Sequence, residues 1–283
     1  MAVTTLAAAI ATTGATSCTV RDVADFPVSG TFHVVVDSEK ILVSAGAGTT
    51  SWTIARGQDG TSPATHALGA NVWLVPAHYA TLTELIDLAA PLPTGETHNA
   101  RLLTACLVRA SSVIDARCAR QFYRIPATGT ETRTYDGTGL NRIVIPEGIV
   151  SLTAVKIADY TGATAETCAA TDWYLRASLA SKRPDPGDSY YVVILSDQGD
   201  YGTFPKGFDT AELTGVFGYD PEPPVITAGA LHLARQMLYA VPSASGDALA
   251  GIDGAGIPIP AYLPRQTYEA IEWGRSRTSW DAT

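Results

Sequence analysis

The chain has no concentrated positive charge. Its 283 residues carry 19 Lys and Arg against 28 Asp and Glu, a formal net charge of −9, and the basic residues are scattered. No Lys/Arg run or basic helix face is present, so a sequence-reading or phosphate-clamping grip on nucleic acid is not expected. A wall of this sign suits DNA that moves past without being held. Cysteine is scarce as well: Cys18, Cys106, Cys118 and Cys168 lie far apart without CxxC spacing. That spacing argues against a zinc ribbon, a dithiol redox site and a disulfide framework. The alanine-rich N-terminus, Met1 to Ile10, has no basic residue ahead of its apolar run, and nothing elsewhere approaches an uninterrupted spanning length. The expectation is a soluble protein of a reducing cytoplasm, with no membrane partner.

Catalytic signatures are missing too. The chain holds no GxSxG elbow, HExxH pair or GxxxxGK[ST] loop. Its five histidines, His33, His66, His78, His98 and His232, show no ligand spacing. Gly251, Gly254 and Gly256 sit in a Gly/Ala/Ser/Pro-rich stretch rather than between a strand and a helix, which speaks against a nucleotide cradle. Asp197, Asp200 and Asp209 gather near strand ends, as hydrolytic carboxylates or calcium ligands do, but loops collect Asp for turn formation anyway. The reading is therefore not an enzyme, with no catalytic residue, cofactor or metal.

What is present is patterned in three segments. Residues 1–76 read as a small β module. Phe32, Val34 and Val36 alternate with His33, Val35 and Asp37, and a turn at Asp37-Ser38 leads into Ile41-Leu42-Val43 as a hairpin. Further strands cover Trp52-Thr53-Ile54 and Val72-Trp73-Leu74-Val75. Between them lies Arg56-Gly57-Gln58-Asp59-Gly60-Thr61, then His66, then Gly69-Ala70-Asn71-Val72. Gly57 and Gly60 permit a tight turn whose exposed amides Asp59 or Thr61 can bond.

The second segment, 77–241, opens with two helical stripes. The first runs over Tyr79, Leu82, Leu85, Ile86, Leu88 and Ala89 and is ended by Pro91 and Pro93. Asn99 caps the second, whose apolar positions Leu102, Leu103, Cys106, Leu107, Ala110, Val113, Ile114 and Cys118 recur at three and four; Arg117, Arg120 and Arg124 follow. The stripe reads as core or subunit packing, with its cysteines as small buried thiols. Strands are then expected at 131–135, 142–145, 149–158, 172–176, 190–195 and 212–217, with turns at 136–139, 160–162 and 197–199 and an exposed loop over 177–189. Gly218-Tyr219 and Pro223-Pro224 lead into a helix from Val225 through Tyr239. The fold class is α+β: a small β module, then a helical bundle packed with an antiparallel β domain. The last segment, 242–283, reads as a flexible linker followed by a docking segment whose candidate partner-interface residues are Tyr268, Ile271, Trp273 and Trp280.

The order of motifs from Asn99 to Tyr239 resembles the head-to-tail connector (adaptor) proteins of long-tailed bacteriophages. The resemblance is carried by the helix Ala110-Ser111-Ser112-Val113-Ile114-Asp115-Ala116-Arg117-Cys118-Ala119-Arg120-Gln121-Phe122, by Thr134-Tyr135-Asp136-Gly137-Thr138-Gly139, and by Ile143-Val144-Ile145-Pro146 with Ile149 to Val155. Trp173-Tyr174-Leu175 and the Gly218-Tyr219 junction complete it. The Arg56 to Val72 pattern is similar to a module that recurs in phage tail, baseplate and connector proteins, and it lies outside the minimal connector plan. The connector resemblance implies a structural virion protein: a homo-oligomeric ring, commonly of twelve copies, joining the portal protein to a stopper or tail-completion protein around the DNA passage. It would be found at the head-tail interface of the virion and, during assembly, in the host cytoplasm. The alternative is a tail or baseplate component that binds host-surface carbohydrate, with Trp52 and Trp73 as an aromatic platform near carboxylates.

Overall fold

The computed structural model describes residues 2–89, 100–126, 129–158, 166–177, 188–197, 199–240, 249–252, 258–260 and 262–276. Asn99, His98, the turn at 160–162, most of the loop at 177–189, Gly254, Gly256 and Trp280 lie outside them. The fold is α+β. In chain order its elements are β1 (Val3–Thr5), β2 (Ser17–Thr19), β3 (Phe32–Val36), β4 (Glu39–Ala45), β5 (Ser51–Ala55), β6 (Asn71–Val75), α1 (Leu82–Ala89) and α2 (Ala100–Cys118). They continue with β7 (Glu131–Gly137), β8 (Arg142–Ile157), β9 (Glu166–Thr167), β10 (Trp173–Arg176), β11 (Tyr190–Leu195) and β12 (Gly207–Phe217). The last are α3 (Pro224–Ala240), β13 (Leu249–Ile252), β14 (Pro258–Pro260) and α4 (Arg265–Ser276). No described helix is long and apolar enough to cross a membrane. Two compact units form: residues 1–117 with 225–272, and residues 118–224 with 273–283.

In the first unit, six antiparallel strands run in the order β1-β6-β3-β4-β5-β2. A bridge between Leu6 and Val20, with Ala7 N donating to Thr19 O at 2.9 Å and Arg21 N to Thr5 O at 3.0 Å, joins the two edges. Closure of this kind removes the open edges that would invite other strands. Period-2 alternation puts Phe32, Val34 and Val36 on the inner face with Val43, Ile54 and Val72, all buried. Trp52 fills the centre, edge-on to Phe32 at 5.3 Å and tilted against Phe26 at 5.4 Å, its indole N–H donating to Thr49 O at 2.8 Å. Val35 and Val75 point the other way and join the helical core of Leu82, Leu85, Leu103, Leu107 and Leu233.

Helix α1 starts at Leu82 rather than at Tyr79, because Thr81 caps it. Thr81 Oγ1 accepts from Glu84 N at 3.2 Å, and Glu84 Oε2 accepts from Thr81 N at 2.8 Å, a reciprocal capping box. Tyr79 is held outside the helix: its N donates to Ser111 Oγ at 3.0 Å and its hydroxyl donates to Asp115. Helix α2 buries Leu103, Cys106, Leu107, Ala110, Ile114 and Cys118 and ends where Ala119 turns left-handed, at φ 53°. Burial raises the Asp115 carboxyl to about 6, against which the Tyr79 hydrogen bond acts. A raised carboxyl pKa means full stability below the unfolded value of 3.8 and progressive loss as pH rises through 6. Asp115→Asn is therefore expected to raise the melting temperature at pH 7.5 and to leave it nearly unchanged at pH 3.5; a drop at pH 7.5 would contradict this assignment.

Helix α4 packs its first two turns on α3 through small residues. A Cβ on Gly229 would stand 2.5 Å from Ala270 Cβ, and Thr267 Oγ1 donates to Gly229 O at 2.7 Å. Within the stretch read as a flexible linker, β13 and β14 pair as a two-stranded ladder.

The second unit holds one antiparallel sheet in the order β10-β11-β8-β12-β7, with β9 paired to β8. The two strands read at 142–145 and 149–158 are a single strand, β8. Its first half pairs with β11 and its second with β12. Pro146, which lacks a ladder donor, is exposed at the change-over, and Gly148 takes φ 87° beside it. Ile143, Ile145, Ile149, Val155, Val193, Leu213 and Phe217 form the core.

Candidate functional site

Two polar constructions stand out, one in each unit. The first is built on Glu39, which opens β4 and is wholly buried. Its carboxylate accepts from Arg56 Nε at 2.7 Å and Nη2 at 2.5 Å, from Gly57 N at 2.9 Å, from Ala64 N at 3.0 Å, and bonds His66 Nε2 at 2.9 Å. Five bonds from four residues to one carboxylate tie the whole Arg56 to His66 loop to the hairpin. His66 Nδ1 bonds Asp37 at 2.8 Å, so both ring nitrogens face carboxylates. Arg56 also reaches Thr12 O at 3.1 Å and Ala64 O. The carboxyl sits at about 2: burial opposes ionisation, but the bonds from Arg56, Ala64, His66 and Gly57 outweigh it.

Lys40, the next residue, is 2 % exposed and pairs with Asp59. Its ammonium also donates to His78 Nε2 at 3.3 Å, which fits a neutral imidazole as acceptor. Burial first, and then the Lys40 charge, lower His78 to about 4. Gly57 and Gly60 have positive φ, as the sequence implied. Asp59 takes the Lys40 ammonium instead of the loop amides, while Thr61 Oγ1 accepts from Lys40 N at 3.1 Å and donates to Gln58 O at 2.8 Å. The signature is thus a buried lock. Glu39 and Lys40 are the residues that sequence reasoning missed.

The second construction surrounds the Gly218-Tyr219 junction. Gly218 has φ 79°, its N donates to Gly148 O at 3.0 Å, and its carbonyl accepts from Ser189 Oγ at 2.5 Å. Tyr219 is 1 % exposed. Arg120 can only donate and a carboxylate can only accept, so the hydroxyls between them orient in one direction. Arg120 Nη1 donates to Tyr219 Oη at 3.3 Å, Tyr219 donates to Tyr191, and Tyr191 donates to Asp188 Oδ1 at 2.6 Å. Burial raises both phenols, so they stay un-ionised. The Tyr219 ring lies 5.4 Å from Phe122 and 6.3 Å from Trp273, which is 6.0 Å from Phe122. This arrangement fixes backbone within the second unit: it joins the segment around Arg120, the start of β11 and the turn after β12.

The four docking candidates do not share a face. Tyr268 is 58 % exposed, whereas Ile271 is buried in the first unit and Trp273 is half-buried in the aromatic cluster of the second; Trp280 lies outside the described residues. The cause is close approach: a Cβ on Gly274 would stand 2.6 Å from Phe122 and 2.7 Å from the Cys118 sulfur, and Trp273 beside it packs on the Phe122 and Tyr219 rings. Trp52 is buried, and the Trp73 ring is covered by the Arg101 guanidinium at 3.9 Å. Asp209 sits at a bulge in β12 with its N bonded to Asp136 Oδ1 at 3.0 Å, and Asp197 and Asp200 flank the turn after β11. No group of three or more His, Cys, Asp or Glu suited to a metal ion occurs among the described residues.

No protein-family model matches the chain, and no curated protein matches it. Among solved structures it is similar to a chain in the neck of an empty gene transfer agent (GTA) particle computed with C6 symmetry. Identity there is 16 % and the TM-score 0.40, over 69 % of this chain and 88 % of that one. A chain from the virion of a native gene transfer agent particle matches over the same shares at 17 % identity and TM-score 0.39.

Proposed function

We propose that the chain is a structural virion protein: a ring adaptor that joins the portal vertex of a phage head to the tail or stopper and surrounds the DNA passage. One observation carries the reading. The motifs behind the connector resemblance include the Gly218-Tyr219 junction, which Ser189, Tyr191 and Arg120 clasp. Invested this way, the polar groups define a rigid shape, which is what a ring component needs. The carbohydrate-binding alternative loses its platform, since Trp52 is buried and Trp73 is covered. Among the described docking candidates Tyr268 is the exposed one, so it is the residue through which α4 would meet a neighbouring ring.

Native mass measurement with and without portal protein tests this. A closed oligomer is expected on the portal, and monomer in both conditions with no portal binding rejects the adaptor. At a net charge of −9, affinity of the isolated protein for duplex DNA is expected to be negligible at physiological salt. A tight complex that weakens steeply with salt would show a DNA-holding role instead.

A further inference from the structure

The second unit presents a protruding apolar tip. Phe208 is 87 % exposed and Leu140 is 50 % exposed. A register shift in the pairing of β12 with β7 between Gly207 and Ala211 creates a bulge there, and Asp209 turns left-handed at φ 52°. Bulges re-aim side chains, and this one directs a phenyl ring into solvent. The backbone around the ring is held in place. Phe204 N donates to Leu140 O at 2.8 Å, Gly139 N donates to Phe204 O at 2.9 Å, and Thr210 Oγ1 donates to Pro205 O at 2.7 Å. Asp136 and Asp209, both exposed, flank it with two negative charges against the one positive charge of exposed Lys206.

The first unit has a feature of opposite character. A groove of about 290 Å³ is lined, among the described residues, by His232, Arg235, Gln236, Tyr239, Leu263 and Pro264. Its size is at the bottom of the range for small-molecule pockets and suits one side chain better than a whole ligand. No acidic residue lines it among the described residues. Arg235 Nε and Gln236 Oε1 are buried there and make no hydrogen bond with any described residue, a state that costs free energy until a partner arrives. The Arg235 guanidinium lies 5.5 Å from the Tyr239 ring centre, and Arg265 next to the groove is already paired with Glu269 at 2.8 Å.

We propose that the Phe208 tip of one copy docks in the Arg235–Tyr239 groove of a second copy of this chain. Phe208 meets Tyr239, Leu263 and Pro264, while Asp209 beside it brings a carboxylate to the Arg235 guanidinium. An apolar knob with acidic flanks against an aromatic groove with a cationic floor is complementary in both shape and charge. Because tip and groove are different surfaces of one chain, the contact is heterologous, and repeating it gives either a closed ring or an open filament. The proposal rests on the ring reading, of which it names the subunit contact.

The test is sedimentation of the free full-length protein over a range of concentrations. Wild type is expected to self-associate. Phe208→Ser spoils the tip, Arg235→Glu spoils the groove, and each is expected to weaken association by about tenfold or more. Mixing the two variants decides the geometry. Each keeps the half that the other has lost, so the mixture forms a heterodimer and stops there. Unchanged melting curves for Phe208→Ser, an exposed position, show that the fold is intact. Three results overturn the proposal: wild type that stays monomeric throughout, association that neither variant weakens, or a mixture that forms no heterodimer. Rings assembling on portal protein despite any of these would leave the adaptor standing without this contact; a heterodimer with no assembly on portal would do the reverse.

Discussion

Glu39→Ala is expected to destabilise the first unit by about 3–5 kcal/mol, because it leaves Arg56 buried without its carboxylate and frees the amides of Gly57 and Ala64. Arg56 is 6 % exposed at its side chain and Glu39 fully enclosed, so solvent replaces none of these bonds. Urea denaturation followed by Trp52 fluorescence reads the loss; a cost under about 1 kcal/mol, the size expected of a surface pair, would show that the lock is not structural. The pH dependence has a defined sign. Glu39 is depressed from 4.5 to about 2, so its contribution is complete above 4.5 and vanishes as pH falls towards 2. His78 is depressed from 6.5 to about 4, so its neutral form costs nothing above 6.5 and folding opposes its charging below that. Both groups act in the same direction, but Asp115 regains stability as pH falls from 6 towards 3.8 and opposes them, so the wild-type decline is expected below about pH 4, where Glu39 alone is still being protonated. In Glu39→Ala that decline below about pH 4 disappears, while the changes due to His78 and Asp115 at higher pH remain.

Much of this architecture was legible because it depends on local periodicity. Phe32, Val34 and Val36 alternate about a turn at Asp37, and that alone gives the β3–β4 hairpin. The stripe from Leu102 to Cys118 recurs at helical spacing and is the buried face of α2 apart from its half-buried margins. Glu39 and Lys40 were hidden because adjacent opposite charges at a turn ordinarily lie in water. Their partners, Arg56, Asp59, His66 and His78, are 17 to 38 residues away. A signal did exist: an Arg and a His in one glycine-rich loop, ahead of an apolar strand, require a carboxylate. Pro146 divided β8 in the sequence reading, since proline interrupts most strands; here the strand exchanges partners at that point, so no ladder bond is lost. Ile271 and Trp273 read as an exposed anchor for a similar reason. The residues that admit α4 to the core, Gly229 and Cys118, lie about 40 to 160 positions earlier, and close approach between distant small residues leaves no local pattern.

Gly218→Ala is expected to cost the second unit more than about 4 kcal/mol. At φ 79° an alanine is strained by about 1–3 kcal/mol wherever it occurs. Here its Cβ would also stand 2.1 Å from Tyr123 O and 3.1 Å from Tyr123 C, which are backbone atoms with no rotamer to change. Tyr123 cannot retreat cheaply, because Phe217 and Ile125 exchange backbone bonds of 2.8 and 2.9 Å just beyond it and Phe122 is packed against Tyr219 and Trp273. Any shift of Gly218 also pulls on the Ser189 and Gly148 bonds to its carbonyl and amide. Gly129→Ala is the matched control: it lies in the same unit at φ 72°, but a Cβ there meets nothing within 4 Å. Strain alone predicts equal costs for the two variants, whereas strain plus clash predicts that only Gly218→Ala broadens or abolishes the cooperative unfolding of this unit. Tyr219→Phe separates the clasp from the turn. It removes one hydroxyl between Arg120 and Tyr191 and should cost about 1–3 kcal/mol with the backbone intact. If Gly218→Ala cost no more than Tyr219→Phe, the junction would be held by its hydrogen bonds rather than by the space that glycine leaves for the Tyr123 carbonyl.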